Sequence, residues 1–290
     1  EDDPTAALAT INKARLAAPS DPQPVIIEAT LLQQLQRTAE ALALLRDTLE
    51  KYPYNQRLRL QYARILTRED LAASREQFEI LLAAAPGDPD LIFSLGLINK
   101  ELDDPVQAAD YFRELLELGA RESEAHYYLG LLAVQEGDAI DAIAHFKQVE
   151  PGQDFLPAMT RLARMLLKSD DLSDMRQFFA DQRRRYPEAA TQLYILESDI
   201  LVRLEQYQAA DLLLTEALAR ETDNISLLYA RSLVAEKQQD LARAEADLRK
   251  IIAADPDNYS ALNALGYTLA NYTDRYQEAL QLIARALALK

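Results

Sequence analysis

The chain has 290 residues, 49% hydrophobic and 27% charged, which is enough apolar material for a large core. The net charge of −16 argues against nucleic acid as a partner, because binding to its backbone requires clustered lysine and arginine. The absence of cysteine excludes disulfides and thiolate metal sites, and no apolar run is long enough for this segment to insert directly into a membrane.

The first predicted element is a single helix over residues 4–19, which ends at a proline. That proline, Pro19, is the first of a regularly spaced set, which continues with Pro53, Pro86, Pro187 and Pro256. Their intervals of 34, 33, 101 and 69 residues correspond to one, one, three and two periods. Because proline cannot continue a helix, these residues predict the ends of successive second helices in a repeated helix pair.

Eight helix pairs are predicted after the first helix. They start near Pro22, Gln56, Pro89, Ser123, Leu156, Thr191, Ile225 and Tyr259. The pair from Gln56 is one residue short, and the last pair has one extra residue between Tyr272 and Tyr276.

The third and fourth pairs show the clearest internal repetition. Their matched positions, each 34 residues apart, are Gly96 and Gly130, Ala108 and Ala142, Phe112 and Phe146, and Leu115 and Val149. A period of this length predicts a helical repeat array, and the pattern resembles the tetratricopeptide repeat (TPR), a helix-turn-helix unit. The resemblance implies an all-α fold, a right-handed superhelical solenoid of antiparallel helix pairs. We expect it to form a single TPR array over residues 1–290.

Small residues are predicted where the two helices of each pair cross. On the first helices they are Ala29, Ala63, Gly96, Gly130, Ala163, Ser198, Ser232 and Gly266. On the second helices they are Ala41, Ala108, Ala142, Ala210, Ala244 and Ala279. Small side chains let the helix axes approach, so that flanking leucine and phenylalanine side chains interlock. Asp70, Asp104 and Asp138 precede helices and are predicted to cap them.

The two ends of the predicted array lack obvious caps. The last helix, residues 277–289, is apolar on more than one stripe, and the first helix is half a pair. Solenoids usually end in an element with a polar outer face. These features predict either a fragment of a longer array or ends that pack against another chain.

Nothing in the sequence is typical of an enzyme. His126 and His145 lie on different helices of one pair, without a cysteine or a close acidic partner at metal-ligand spacing. We expect structural or solvent-facing roles for both histidines. No glycine-rich phosphate loop is present, so the sequence predicts no catalytic residue, no cofactor and no metal.

In the TPR family the first helices line a concave surface. The large side chains at the lining positions are Phe93, Leu97, Tyr127, Leu131, Tyr229, Leu233 and Tyr267. Either a tight superhelix buries some of them against each other, or they form an apolar groove for a peptide or helix. The lysine and asparagine of the carboxylate clamp are absent, since the compared positions hold Ile26, Thr30, Leu60, Arg64, Thr160 and Arg164.

Residues 156–187 depart from the acidic trend, with seven basic residues, four aspartates and a local net charge of +3. The basic residues are Arg161, Arg164, Lys168, Arg176, Arg183, Arg184 and Arg185. The last three end a second helix, where solvated basic side chains interact favourably with the helix dipole. Arg161 and Arg164 lie on a first helix and are predicted to face the groove and an acidic partner.

The closing stretch, residues 261–289, has a more specific resemblance. Its sequence is ALNALGYTLANYTDRYQEALQLIARALAL, and it resembles the LbcA-like outer-membrane TPR lipoproteins of proteobacteria. The resemblance implies an adaptor at the periplasmic face of the outer membrane. Such an adaptor would hold a carboxyl-terminal processing protease together with its cell-wall hydrolase substrates. The lipidated cysteine that anchors that family is not in this sequence.

The sequence therefore predicts a non-enzymatic protein-protein scaffold, with the protease adaptor as its particular function. Two alternatives remain open on the sequence. One is the regulatory TPR region of a larger enzyme, such as a glycosyltransferase. The other is a chaperone for secretion or pilus assembly.

Overall fold

The computed structural model describes residues 4–17, 21–167 and 172–289. Within these ranges the chain consists of α-helices joined by short turns, with one 3-10 turn at Pro187–Ala189 and no strand. The all-α fold class predicted from the sequence is confirmed.

The helices fall into two compact units, residues 1–149 and 150–290. The first contains α1 (Pro4–Ala17), α2 (Gln23–Gln34), α3 (Thr38–Lys51), α4 (Gln56–Glu69), α5 (Leu71–Ala84), α6 (Pro89–Glu101), α7 (Pro105–Glu117), α8 (Glu122–Glu136) and α9 (Ala139–Phe146). The second contains α10 (Phe155–Leu166), α11 (Ser173–Arg185), α12 (Ala190–Arg203), α13 (Tyr207–Arg220), α14 (Ile225–Lys237), α15 (Leu241–Ala254), α16 (Tyr259–Tyr272) and α17 (Tyr276–Ala288).

The helix boundaries follow the spacing seen in the sequence. Every first helix begins within one residue of the start predicted for its pair. Pro53, Pro86, Pro187 and Pro256 each lie two residues beyond the last residue of a second helix. Pro19 lies outside the described residues. A single array over residues 1–290 stays a prediction, because the structure defines each unit by itself.

Most turns within a helix pair contain one residue with left-handed backbone geometry. These residues are Gln36, Asp103, Gly137, Glu205 and Gln239, with φ between 59° and 80°. The pair that starts at Gln56 has a shorter turn, in which Asp70 alone separates α4 from α5 with φ −152°. Its amide donates to Leu66 O at 2.8 Å, and its carboxylate accepts from Ala73 N at 3.0 Å. This shared cap accounts for the residue missing from that pair.

The predicted aspartate caps are present. Asp104 accepts a hydrogen bond from Gln107 N at 3.2 Å, and Asp138 accepts from Asp141 N at 3.0 Å. Each satisfies an amide that the first turn of the following helix leaves unpaired.

The core lies where the two helices of each pair cross, and every predicted crossing residue is buried. The closest approaches pair glycine with phenylalanine. A Cβ atom on Gly96 would lie 2.6 Å from the ring of Phe112, and one on Gly130 would lie 2.7 Å from the ring of Phe146. A glycine on the first helix therefore makes room for a bulky side chain on the second.

Candidate interaction surface

The aromatic side chains of the first unit pack largely on each other. The ring of Phe93 lies 6.1 Å from that of Phe112 and 5.6 Å from that of Tyr128, between centroids. Phe112 stacks on Tyr128 at 5.2 Å, and the guanidinium of Arg121 lies 4.6 Å from the centre of the Phe93 ring. Phe93 is therefore half-buried, with much of its ring in contact with this chain's own side chains.

Tyr127 belongs to the same aromatic packing. It is only 8% exposed, and its ring lies 6.2 Å from that of Phe146. Leu97 and Leu131 are half-buried. Phe93 and Tyr127 therefore pack against other side chains of this chain, as the first of the two alternatives expected. A role in partner binding for Phe93, Leu97, Tyr127 and Leu131 stays a prediction.

The second unit presents a different first-helix surface. Leu233 on α14 is 42% exposed, and Tyr267, at the equivalent position of α16, is 56% exposed. Tyr272, also on α16, is 48% exposed and donates a hydrogen bond to Glu236 Oε1 at 3.4 Å. We call Leu233, Glu236, Tyr267 and Tyr272 the α14–α16 surface. Tyr229 at its edge is half-buried.

The α14–α16 surface combines three large side chains with one carboxylate, that of Glu236. The charge of Glu236 raises the pKa of the Tyr272 hydroxyl, because ionisation would place two negative charges side by side. Tyrosine and leucine side chains beside a single acidic group form an amphipathic surface. Such a surface suits a protein partner, since aromatic side chains with a polar end are enriched in protein interfaces.

Arg161 and Arg164 are exposed on α10, as required for contact with an acidic partner. Contact of these two arginines with an acidic partner stays a prediction. Lys168, from the same basic stretch, lies outside the described residues.

The sequence predicted that the arginines at the end of α11 are solvated, but the structure shows that one of them is not. The side chain of Arg183 is only 12% exposed and donates to Glu197, which is 1% exposed. Its guanidinium also lies 4.2 Å from the centre of the Tyr194 ring. The expectation of a solvated helix end is therefore wrong for Arg183, because α12 packs against this side of α11.

Glu197 lies at the floor of a groove between α11 and α13. The groove is an open cavity of about 830 Å³. Arg176 approaches Glu197 from α11, with its Nε 3.5 Å from Oε1. Burial raises the pKa of Glu197, although hydrogen bonds from Arg183 oppose that effect. The two arginines thus serve mainly to stabilise a buried carboxylate.

Buried ion pairs are the feature that the sequence analysis missed. At the seventh residue of a pair, where others have buried leucines such as Leu95 and Leu265, three pairs have Glu28, Glu197 and Arg231. Each has an opposite charge nearby, since Arg15 reaches Glu28 at 2.7 Å and Arg231 binds Asp247 through both carboxylate oxygens at 2.8 Å. The available signal was a charged residue at a position that holds leucine in four of the other five pairs.

His126 and His145, for which the sequence predicted structural or solvent-facing roles on two different helices, contact each other. Their Nδ1 atoms are 2.9 Å apart. The described residues, this pair included, contain no group of three or more histidine, aspartate or glutamate side chains that could hold a metal ion. Among those same residues, every helix is too short or too polar to cross a bilayer.

The helix pairs, their crossing residues and their period define a helical repeat protein. The tetratricopeptide repeat family model matches residues 28–89, 93–157, 195–258 and 229–290, which together are well over half of the chain. The chain therefore belongs to the tetratricopeptide repeat family, whose members are suited to protein-protein interaction.

Among curated proteins, the chain is 39% identical over 264 residues to the TPR repeat-containing protein PA4667 of Pseudomonas aeruginosa. That match covers 91% of this chain and 45% of the relative. This chain is also 26% identical over 220 residues to the cellulose synthase 2 operon protein C of Komagataeibacter xylinus. That match covers 67% of this chain and 16% of that protein. The chain thus spans less than half the length of either relative.

Solved structures with related folds include a tetratricopeptide repeat protein from Parabacteroides merdae. It is 17% identical, with a TM-score of 0.47, over 85% of this chain and 98% of that one. Yeast Tom70 is 18% identical, with a TM-score of 0.48, over 93% of this chain and 61% of that one.

Proposed function

We propose that the chain is a non-enzymatic adaptor that brings a carboxyl-terminal processing protease together with cell-wall hydrolase substrates. The observation that carries the proposal is the exposure of Tyr267. This tyrosine belongs to the closing stretch that resembles the LbcA-like lipoproteins, and its neighbours Leu265 and Gly266 are buried. Packing of the repeat thus accounts for the two buried residues and leaves Tyr267 available to a partner.

A second feature supports a protein partner at this place. Leu233 and Tyr267 occupy equivalent positions on α14 and α16, and both are large apolar side chains exposed to solvent. Tyrosine is enriched among the residues that provide most of the binding energy of an interface, and the apolar surface of a neighbouring leucine helps to exclude water from it. The proposed location is the periplasmic face of the outer membrane, where the resembling lipoproteins act.

The proposal is tested by recovering the partner from an envelope extract of a proteobacterium. The full chain is immobilised beside two variants, Leu233→Ala/Tyr267→Ala and the control Leu212→Ala. Leu212 lies on the second helix α13 and is 62% exposed, so its truncation removes a similar kind of apolar surface from a different face. Circular dichroism verifies that all three proteins are folded, and mass spectrometry identifies the captured proteins.

We expect the unchanged chain and the Leu212→Ala control to recover a carboxyl-terminal processing protease with cell-wall hydrolases. The double variant should recover much less of both. Failure of the unchanged chain to recover any protease would contradict the adaptor role. Equal recovery by the double variant would keep the adaptor but remove the α14–α16 surface from its mechanism.

A repeat region within a larger enzyme is a second candidate. The observation in its favour is the length of the two relatives, since this chain corresponds to 45% of one and 16% of the other. Reading the complete open reading frame around this sequence tests it directly. A catalytic domain in the same frame would favour the enzyme, and repeats alone would favour the adaptor.

A further inference from the structure

The two histidines of the chain form one pair, between the two helices of a single repeat. His126 lies on α8 and His145 on α9, and the sequence contains no other histidine. Their Nδ1 atoms are 2.9 Å apart and their ring centroids 5.2 Å apart. The centroid separation exceeds the nitrogen separation by about two ring radii, so the nitrogens point at one another. This is the geometry of an N–H···N hydrogen bond between the two rings.

The surrounding charges favour one arrangement of protons. The carboxylate of Asp141 lies 3.6 Å from Nε2 of His145. It therefore favours a proton on that nitrogen, which leaves Nδ1 of His145 to accept a hydrogen bond from Nδ1–H of His126. Two further charges act on the pair: Glu122 on α8 favours a charged His126, and Arg113 on α7 disfavours a charged His145.

Burial disfavours charge on both rings. It is the largest cause that lowers the pKa of His126 and of His145 below the ordinary 6.5, and the mutual repulsion of the rings lowers that of His126 further. With the hydrogen bond intact, the pair can take up one proton, on Nε2 of His126. A second proton would place two N–H groups face to face. Once separated, the two rings can each take up a proton.

We propose that the His126–His145 pair is a pH-sensitive latch, which holds α9 against α8 at neutral pH and releases it on acidification. The helix that it holds is the shortest α-helix among the described residues, at eight residues. Phe146, the last residue of α9, is fully buried against Gly130 and beside Tyr127. Opening of the latch therefore exposes a large aromatic side chain from the core of this repeat.

The direction of the effect follows from proton binding. Below the ordinary histidine pKa the open form can bind two protons, one on each ring, whereas the closed pair binds at most one. Acid therefore favours opening, by about tenfold or more in the opening equilibrium for each pH unit well below about 6.5. Above that pH the latch stays closed and its stability no longer depends on pH.

Hydrogen exchange on the full chain tests the latch. Amide exchange in α9 is measured at about pH 7.5 and about pH 5.5, with correction for the intrinsic exchange rate, and α6 and α7 in the same unit serve as a histidine-free control. We expect at least about tenfold more opening of α9 at the lower pH, with no such change in α6 and α7. The variant His126→Gln/His145→Gln should lose the response. Equal protection of α9 at both pH values, or an unchanged response in the variant, would overturn the proposal.

A second measurement is independent of how the variant folds. Side-chain ¹⁵N resonances of the two histidines in the unchanged chain report each protonation step. We expect one step below the ordinary histidine pKa and a second at still lower pH that coincides with the opening of α9. Two rings that titrate independently at the ordinary value would contradict a hydrogen-bonded pair and the latch built on it.

Discussion

Gly130 and Phe146 are in such close contact that a Cβ atom on Gly130 would lie 2.7 Å from Cε1 of the ring. Gly130→Ala should therefore force the ring or the helix to move, at a cost of about 1–3 kcal/mol in the free energy of unfolding. Denaturant unfolding of the full chain measures the difference. Gly152→Ala is the matched control, because the nearest atom to a Cβ there is 3.9 Å away.

A compensating substitution makes the Gly130 prediction more specific. At the equivalent positions of another pair, Ala29 is matched with Leu45, and both are fully buried. Gly130→Ala/Phe146→Leu should therefore be more stable than Gly130→Ala alone, since the smaller side chain leaves room for the added methyl group. A double variant no more stable than Gly130→Ala would show that contact with the ring is not the cause.

The left-handed turn between α14 and α15 can be stabilised. Gln239 has a φ of 62°, which side chains with a Cβ disfavour and glycine adopts freely. Gln239→Gly should raise the free energy of unfolding by about 0.5–1 kcal/mol, because the helix C-terminus favours glycine at this place. The neighbouring control Gln238→Gly, at φ −81°, should give no gain. A loss of stability in Gln239→Gly would show that the side chain makes a compensating interaction.

The ion pair of Arg231 and Asp247 illustrates what could be learned from the sequence. Arg231 donates to both carboxylate oxygens at 2.8 Å, and Asp247 is almost fully buried. Asp247→Leu should cost about 3–5 kcal/mol in the free energy of unfolding, because it leaves a largely buried guanidinium unpaired. Arg231→Leu/Asp247→Leu should recover most of that loss, since the equivalent Leu265 is fully buried.

The control for this ion pair is an exposed one. Arg113 and Asp110 are 3.0 Å apart and more than half exposed, so Asp110→Ala should change stability by about 1 kcal/mol or less. If Asp247→Leu were as mild as this control, the buried pair would not stabilise the packing of α14 and α15.

The helix pairs could be predicted because their signals are local. Proline ends a helix whatever surrounds it, and small crossing residues such as Gly96 and Ala108 recur with the period of the fold. The buried charges were harder to interpret, because Glu197 is compatible with the interior only through Arg183 and Arg176. That pairing depends on how neighbouring repeats pack, which no single segment determines.

An exposed ion network connects the last two pairs. Glu278 lies between Arg249 and Arg275, and Arg275 also binds Glu245 at 2.8 Å. Hydrogen bonds from Arg249 and Arg275 lower the pKa of Glu278, so its contribution is present above the ordinary carboxylate pKa and is lost as pH falls through the lowered value.

The expected result is a lower melting temperature for Glu278→Gln at neutral pH and low salt. The difference from the unchanged chain should shrink at about 1 M salt, because salt screens exposed charges. It should also shrink in acid, once the carboxylate is protonated. A difference that persists under both conditions would mean that Glu278 acts through packing and not through its charge.

The candidate surface could be predicted only in part. Position in the repeat identified Phe93, Tyr127, Leu233 and Tyr267 together, yet the first two pack on neighbouring aromatic rings while the last two are exposed. Phe93 and Tyr127 are the fifth residues of their pairs, whereas Leu233 and Tyr267 are the ninth, one helical turn further along the first helix. The contact between His126 and His145 depends on how α8 and α9 pack together, which the sequence alone did not show.

The measurement that tests the central claim most directly is the affinity of the full chain for a purified carboxyl-terminal processing protease. Titration calorimetry compares the unchanged chain, Leu233→Ala/Tyr267→Ala and the control Leu212→Ala. We expect the double variant to bind at least about tenfold more weakly, since two exposed apolar side chains would lose their contacts, and the control to bind normally. Equal affinity of the double variant and the unchanged chain would contradict binding through the α14–α16 surface, and no binding by any of the three would contradict the adaptor itself.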